Sequence, residues 1–243
     1  MNTPTDLSAI VERIERGHGL VGRDLERVTL RLSAGGPAFA MKGQRTAFED
    51  VEATVTVAPQ RVRFVGPEWD AEWAAPELVA GYRRLAHGRR RLRWDRTDAA
   101  AFGAAALWTY VSLPTLLTSA RVRARSTGTV QRKGQTWDRL DLEFDDDVAT
   151  HSQRQAVYVD SDGLIRRHDY TARAFGSWVT SAHILDDYRE FDGFRIATRR
   201  HVHPRVGRRA LRRPTVVRIS VREAEFATRE PVGERPLRAR RRG

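Results

Sequence analysis

The chain has 243 residues, 40% of them hydrophobic and 30% charged, with no cysteine and a net charge of +12. The missing cysteine excludes disulfides, thiolate metal sites and cysteine nucleophiles. Lys42 and Lys133 are the only lysines among the 43 basic residues; arginine's planar fork suits phosphate and carboxylate, so nucleic acid, an acidic partner or an anionic ligand are the functional readings and GC-rich coding is the plain one.

The first twenty residues carry acidic side chains and lack a basic start and a long apolar core, so they do not read as a secretory signal and a cytoplasmic protein is expected. Ile10, Val11 and Ile14 follow Thr5, Asp6 and Ser8 at helical spacing and predict a short amphipathic helix. Alternation then takes over. Val28, Leu30 and Leu32 predict a strand ending at Gly35-Gly36-Pro37; Val51 to Val57 and Val62 to Phe64 predict a hairpin across Ala58-Pro59-Gln60. Residues 66–80, with Trp69, Trp73 and two prolines, read as a crossing loop, Glu77 to Leu85 as a helical turn, and Leu92 with Trp94 as a short strand.

Ala99 to Ala120 has no formal charge and is long enough to span a bilayer. Its residues are mostly Ala, Thr, Ser and Gly, so a buried helix from Ala99 to about Ser112 is expected instead. Val122, Ala124 and the alternating Leu140, Leu142 and Phe144 resume the strands around a Lys133-Gly134 turn. Asp145-Asp146-Asp147 reads as a loop without the ligand spacing or glycine of a calcium site.

The remaining strands are expected at Gln155–Asp160, Leu164–Ala172, Ser181–Arg189, Arg195–His203 and Thr215–Phe226. The fold class is therefore mainly β: a curved antiparallel sheet or half barrel with a helix or two over its cavity. One domain spans residues 1–228, and the arginine-rich stretch 229–243 reads as a disordered tail. No RNP-like aromatic run or helix-turn-helix accompanies the basic clusters at 83–93, 205–213 and 235–242, so no specific nucleic-acid site is expected.

Asp162-Gly163 and Asp192-Gly193 are hairpin turn signals. A two-residue turn at Asp192-Gly193 sets Phe191 against Phe194, His183 against Val202, Leu185 against Arg200, Asp187 against Thr198 and Arg189 against Ile196, all on one face. His168 and Tyr170 join that face if their strand pairs near His183. The set His168, Tyr170, His183, Asp187, Thr198 and Arg200 could then supply acid/base chemistry, with Asp187 orienting a histidine and Tyr170 or Arg200 steadying an oxyanion. Cross-strand polar pairs on a wetted face are the alternative, and alternation does not decide which face is interior, because Arg167, Asp169, Asp186, His201 and His203 share the other. His201 and His203, with His151 or Asp169, form an incomplete metal set, so neither a metal nor another cofactor is expected. A Gly-x-Ser-x-Gly elbow and a glycine-rich phosphate loop are both absent.

The order Tyr158-x-Asp160-x-x-Gly163-Leu164, a polar hairpin, then Asp192-Gly193-x-x-x-Ala197-Thr198 resembles proteins of high-GC bacteria and, through them, the LolA, LolB and LppX class of lipid or lipoprotein carriers. Ala197 stands where that pattern has proline; the upstream Trp108-x-Tyr110 and Pro114 belong to the same resemblance. It implies a half barrel of antiparallel strands closed by helices over an apolar cavity. Trp94, Phe102, Trp108 and Tyr110 are the expected wall residues for a hydrophobic small molecule, lipid or acyl chain. An enzyme on the same scaffold, such as an isomerase, cyclase or hydrolase acting on a hydrophobic metabolite, is the first alternative, and nucleic-acid binding through the arginine clusters is the second.

Overall fold

Alternating β-branched and polar residues build strands throughout, and the strands join into one 12-stranded antiparallel sheet. The structure, a computed structural model, describes residues 6–67, 69–87, 92–132 and 134–229; the expected tail beyond 229 and part of the 83–93 basic cluster lie outside them. The chain begins with α1 (Leu7–His18), β1 (Asp24–Gly35), α2 (Pro37–Met41), β2 (Phe48–Thr56), β3 (Arg61–Gly66) and β4 (Trp69–Ala74). Two helices follow, α3 (Glu77–His87) and α4 (Arg96–Leu116), and then β5 (Val122–Arg132), β6 (Gln135–Phe144), β7 (Arg154–Val159) and β8 (Ile165–Thr171). β9 (Thr180–Phe191), β10 (Phe194–Val206), the two-residue β11 (Arg209–Ala210) and β12 (Val217–Arg229) complete it.

The spatial order is β4-β3-β2-β1-β12-β10-β9-β8-β7-β6-β5, with β11 beside β10. β1 to β4 meander from the centre to one edge, α3 and α4 carry the chain to the other, and β5 to β10 meander back. β12 then fills the central gap, pairing β1 on one side and β10 on the other. The outermost strands do not meet, so the result is an open half barrel with helices on its concave face.

Three expectations change. Trp69 to Ala74 is edge strand β4, in register with β3 from Gly66↔Trp69 to Arg61↔Ala74; Pro67 and Pro76 flank the pairing instead of interrupting it. Glu77 to His87 is a full helix of 11 residues. Leu92 and Trp94 form no strand: the Trp94 N–H donates to the Lys42 carbonyl at 2.9 Å, and Asp95 at once caps α4, so no length of chain is left for a ladder.

α4 is the centre of the core. Asp95 and Asp98 form a reciprocal capping box, with the Asp98 N–H donating to the Asp95 carboxylate at 2.8 Å, which satisfies donors that a helix start otherwise leaves bare. The helix runs past Ser112 through Pro114 to Leu116. Proline has no N–H for the Tyr110 carbonyl one turn back, but the enclosing sheet holds the helix course. Buried residues occur on every side of α4, as expected of a core helix. By length and composition it could cross a membrane, and 72% of that window is buried inside the protein. Trp108 ties it to the sheet, its indole N–H reaching the Thr56 carbonyl at 3.1 Å and the Val57 carbonyl at 3.3 Å.

Small residues set the distance between α4 and the sheet. A Cβ on Gly103 would meet the Phe48 ring at 2.5 Å, and that ring is held between Phe39 and Phe64 at centroid distances of 5.5 and 5.4 Å. Alanine gains about 1 kcal/mol of helix propensity over glycine, whereas overpacking a core costs about 1–3 kcal/mol. Gly103→Ala is therefore expected to lower the urea midpoint despite its better propensity; a raised midpoint would show that the Phe48 ring has room to move.

Candidate functional site

The Asp192-Gly193 turn sets the register as its chemistry demands, with Phe191↔Phe194, Leu185↔Arg200 and His183↔Val202. β8 pairs with β9 through His168↔His183 and Tyr170↔Ser181. His168, Tyr170, His183, Leu185 and Arg200 thus share the concave face, under α4. Their opposites on the convex face form a second buried polar group. Arg167 and Asp169 make a bidentate pair at 2.6 and 2.8 Å, and the Arg167 guanidinium also donates to the Arg208 carbonyl at 2.7 Å. The β10–β11 hairpin covers that pair, which is why both faces read as equally polar.

Beneath α4 the aromatic rings close on one another. Tyr110 donates to the Tyr170 hydroxyl at 2.9 Å and lies edge-on to His183, 4.4 Å between centroids. His151 sits 4.3 Å from the Tyr170 ring, and His168 stacks on His183 at 6.3 Å. A ring nitrogen of His168 donates to the Gln155 side-chain carbonyl, and the Gln155 amide donates to Thr150 at 2.7 Å, which also accepts from Thr109 of α4 at 3.0 Å. Both ring nitrogens of His151 and of His183 lack hydrogen-bond partners.

α1 closes the chamber at its far end. Gly17 of α1 packs directly on the backbone of Gly163 in the β7–β8 turn, where a Cβ would lie 2.7 Å from it. That close approach seats His18, whose Nδ1–H donates to the Arg195 carbonyl at 3.0 Å. Nδ1 being the donor, Nε2 is left as a bare acceptor, and it too has no partner.

Asp187 does not join the chamber, contrary to the expected same-face cluster. Its φ of 54° breaks the alternation, and its carboxylate turns to Thr198 at 2.9 Å and to Arg189 at 3.2 Å. Tyr188 lines the chamber in its place. No carboxylate therefore orients either histidine, and a His–Asp couple is not assembled. His201 and His203, on the convex face, are 6.5 Å apart between centroids and face Asp186 and the Pro214 carbonyl. Among the described residues no three His, Asp or Glu side chains are placed to hold a metal ion.

The expected wall residues divide. Phe102 and Tyr110 line a small apolar cavity of about 60 Å³ with Phe39, Phe48, Phe64 and Leu107. Trp108 is spent on anchoring α4. Trp94 packs behind Phe102 at 5.3 Å and against Phe175 at 4.8 Å, with the Lys42 ammonium 5.2 Å from its ring. Tyr110 also lines the polar chamber, of about 40 Å³, with His18, His168, His183, Tyr188 and Arg200. A third, larger space is mainly apolar. It is a groove of about 620 Å³ at the open end, between α2, residues 172–180 and the ends of β10 and β12. His18, Gln155, Tyr188 and Trp178 escape the sequence reading, and His151 enters it only as a possible third metal ligand; all but Tyr188 and Gln155 lie at a helix end or in loops, where alternation gives no signal.

Several of the described arginines outside the chamber pair with carboxylates: Arg31 with Asp50, Arg61 with Glu72, Arg63 with Asp70 and Arg123 with Asp145.

No protein-family model matches the chain, and no curated protein matches it. Among solved structures it is similar to a LolA superfamily protein from Nitrosomonas europaea, at 10% identity and TM-score 0.46 over 92% of this chain and 94% of the other. An outer membrane lipoprotein-sorting protein domain from Vibrio parahaemolyticus is similar at 10% identity and TM-score 0.47, over 91% and 93%. A DUF1329 family protein from Desulfovibrio piger is similar at 12% identity and TM-score 0.45, over 91% and 94%.

Burial holds the chamber histidines neutral. His168 is pushed from the usual 6.5 down to about 3, first by desolvation and then by the nearby Arg200 charge. His18 falls to about 4, chiefly by desolvation, and His151 and His183 fall well below the usual value for the same reason. The unfolded chain binds protons below pH 6.5 that the folded chain refuses, so stability is complete above 6.5 and drains away as the pH falls toward the folded values. Each such histidine adds about 1.4 kcal/mol per pH unit to that slope. Urea midpoints should be level from about pH 7.5 to 9 and drop below about 6.5, and His168→Gln should shallow the drop by one histidine's share. A wild-type midpoint that stays constant down to about pH 5 would contradict neutral burial.

Proposed function

We propose that the protein binds a hydrophobic small molecule or acyl chain, taken up at the groove and directed inward along α4. One observation carries this reading. Of the six large hydrophobic side chains exposed among the described residues, Met41, Leu92, Trp178 and Val206 all line this groove, and the largest of them, Trp178, is 70% exposed. Single exposed apolar residues are ordinary, but a gathered patch marks a binding surface. A groove of about 620 Å³ is also within the usual range for ligand sites, about 300–1,000 Å³.

The groove does not end at the surface. Phe102, Tyr170, Val202 and Val217 line both it and the 60 Å³ apolar cavity, so the two spaces share a wall and a floor. Beyond that cavity stands Tyr110, and behind Tyr110 the polar chamber. An elongated apolar molecule lying in the groove thus meets apolar walls inward as far as the Tyr110–Tyr170 hydrogen bond.

Trp178 and Val206 are exposed, so replacing both with glutamate leaves the core intact while placing two charges where an apolar chain would lie. Burial of a Trp-sized surface is worth a few kcal/mol. A fluorescent acyl probe titrated into protein freed of copurified lipid should bind the double variant at least about tenfold more weakly than the wild type. Equal affinities would put the binding surface elsewhere.

A further inference from the structure

Among the described residues, Arg200 is a buried side chain whose charge no carboxylate answers. It is 4% exposed, and arginine cannot escape burial by losing its proton. Its Nε donates to the Ala197 carbonyl at 3.1 Å, its guanidinium carbon lies 5.9 Å from the centre of the Tyr110 ring, and the groups acting on it are tyrosines, Tyr188 and Tyr110, with no carboxylate. Arg167 shows the contrast: an arginine equally buried on the convex face, held bidentately by Asp169. An uncompensated buried charge costs several kcal/mol, so a fold that keeps one beside an internal space has a vacant electrostatic position.

That space is the 40 Å³ chamber, room for about three waters or one carboxylate-sized group. Arg200 lines it, its two terminal amino groups unused by any hydrogen bond among the described residues. His183 lines it as well, completely buried and with both ring nitrogens unpartnered, so a neutral imidazole has one N–H to donate there. The rest of the lining is mainly apolar, including Leu185, Ile196 and Phe226. Tyr110 separates this chamber from the apolar cavity and lines both.

We infer that Arg200 and His183 form a head-group site for the carboxylate of a long-chain carboxylic acid, whose tail runs past Tyr110 into the apolar cavity and toward the groove. This rests on the hydrophobic-ligand reading above and adds the chemistry of the head. A single fully buried guanidinium supplies one positive charge in a planar fork, which matches the charge and the two oxygens of a carboxylate. A phosphomonoester brings about two negative charges and three acceptor oxygens, more than this chamber answers.

Dodecanoate and dodecanol separate the head from the tail. Titrated calorimetrically at about pH 8 into lipid-free protein, wild type should bind the acid roughly 10- to 100-fold more tightly than the alcohol, the range for a charge-assisted pair. Arg200→Met should bring acid and alcohol to equal affinity, and its unliganded form should melt no lower than wild type because the unanswered charge is gone. Equal binding of acid and alcohol by the wild type overturns the head-group site and leaves the hydrophobic reading standing; binding of neither overturns both. The wild-type comparison decides the question even if the variant fails to fold.

Discussion

The enclosure of α4 is the constraint from which the architecture follows. A helix apolar on every side has no face to give to water, so the chain has to surround it. A flat sheet covers only one side of a helix. A sheet of 12 strands that curves, with α1 and α3 closing its open side, covers the rest. The order of the strands serves that end: the chain leaves one edge at β4, passes through α4 and re-enters at the opposite edge with β5, which lays the helix across the concave face before the second half of the sheet is built around it. Gly103 and the alanines then fix how closely the sheet can approach, and the spaces left over are the apolar cavity and the chamber.

The hairpin register was legible because two local facts determine it. An Asp-Gly turn fixes which residues face each other, and a side-chain period of two carries that pairing along both strands. Leu185↔Arg200 and His183↔Val202 follow directly. Asp187 fails because its left-handed backbone turns its side chain off the face, and nothing in the alternation forewarns of that. Trp94 fails for a different reason: two alternating residues are too few to outweigh a helix cap next to them. Interior and exterior were illegible because the protein buries polar groups on both faces, Arg167 with Asp169 under a hairpin and Arg200 under a helix. The long apolar stretch, by contrast, gave its burial away by its small residues, and only its extension past Pro114 needed the surrounding sheet to explain it.

The chamber departs from an acid/base site in its electrostatics. A general base works best with a pKa near the operating pH, and a histidine reaches that by keeping water or a carboxylate beside it. Here the histidines are buried, and His18, His168 and His183 also lie near the Arg200 charge; burial first, and that charge second, push the proton off. His168 titrates at about 3, several units from neutrality, and the nearest candidate for an orienting acid has turned to the surface. Rings in this state serve as neutral dipoles with one donor and one acceptor each.

Tyr110 is where the two characters of the interior meet. One side of its ring borders phenylalanines and aliphatic side chains; the other borders imidazoles and a guanidinium. Its hydroxyl is tied to Tyr170 on β8, so the ring bridges α4 and the sheet and stands between the apolar cavity and the chamber that holds Arg200 and the histidines. The division implies a direction for any guest: apolar surface gains most from burial on the groove side, whereas a charged group is tolerated only where a counter-charge waits. A guest of uniform polarity would leave one of the two sides unmatched. The interior is therefore complementary to an amphiphile lying along α4 with its polar end innermost, an orientation fixed by which side of Tyr110 holds Arg200.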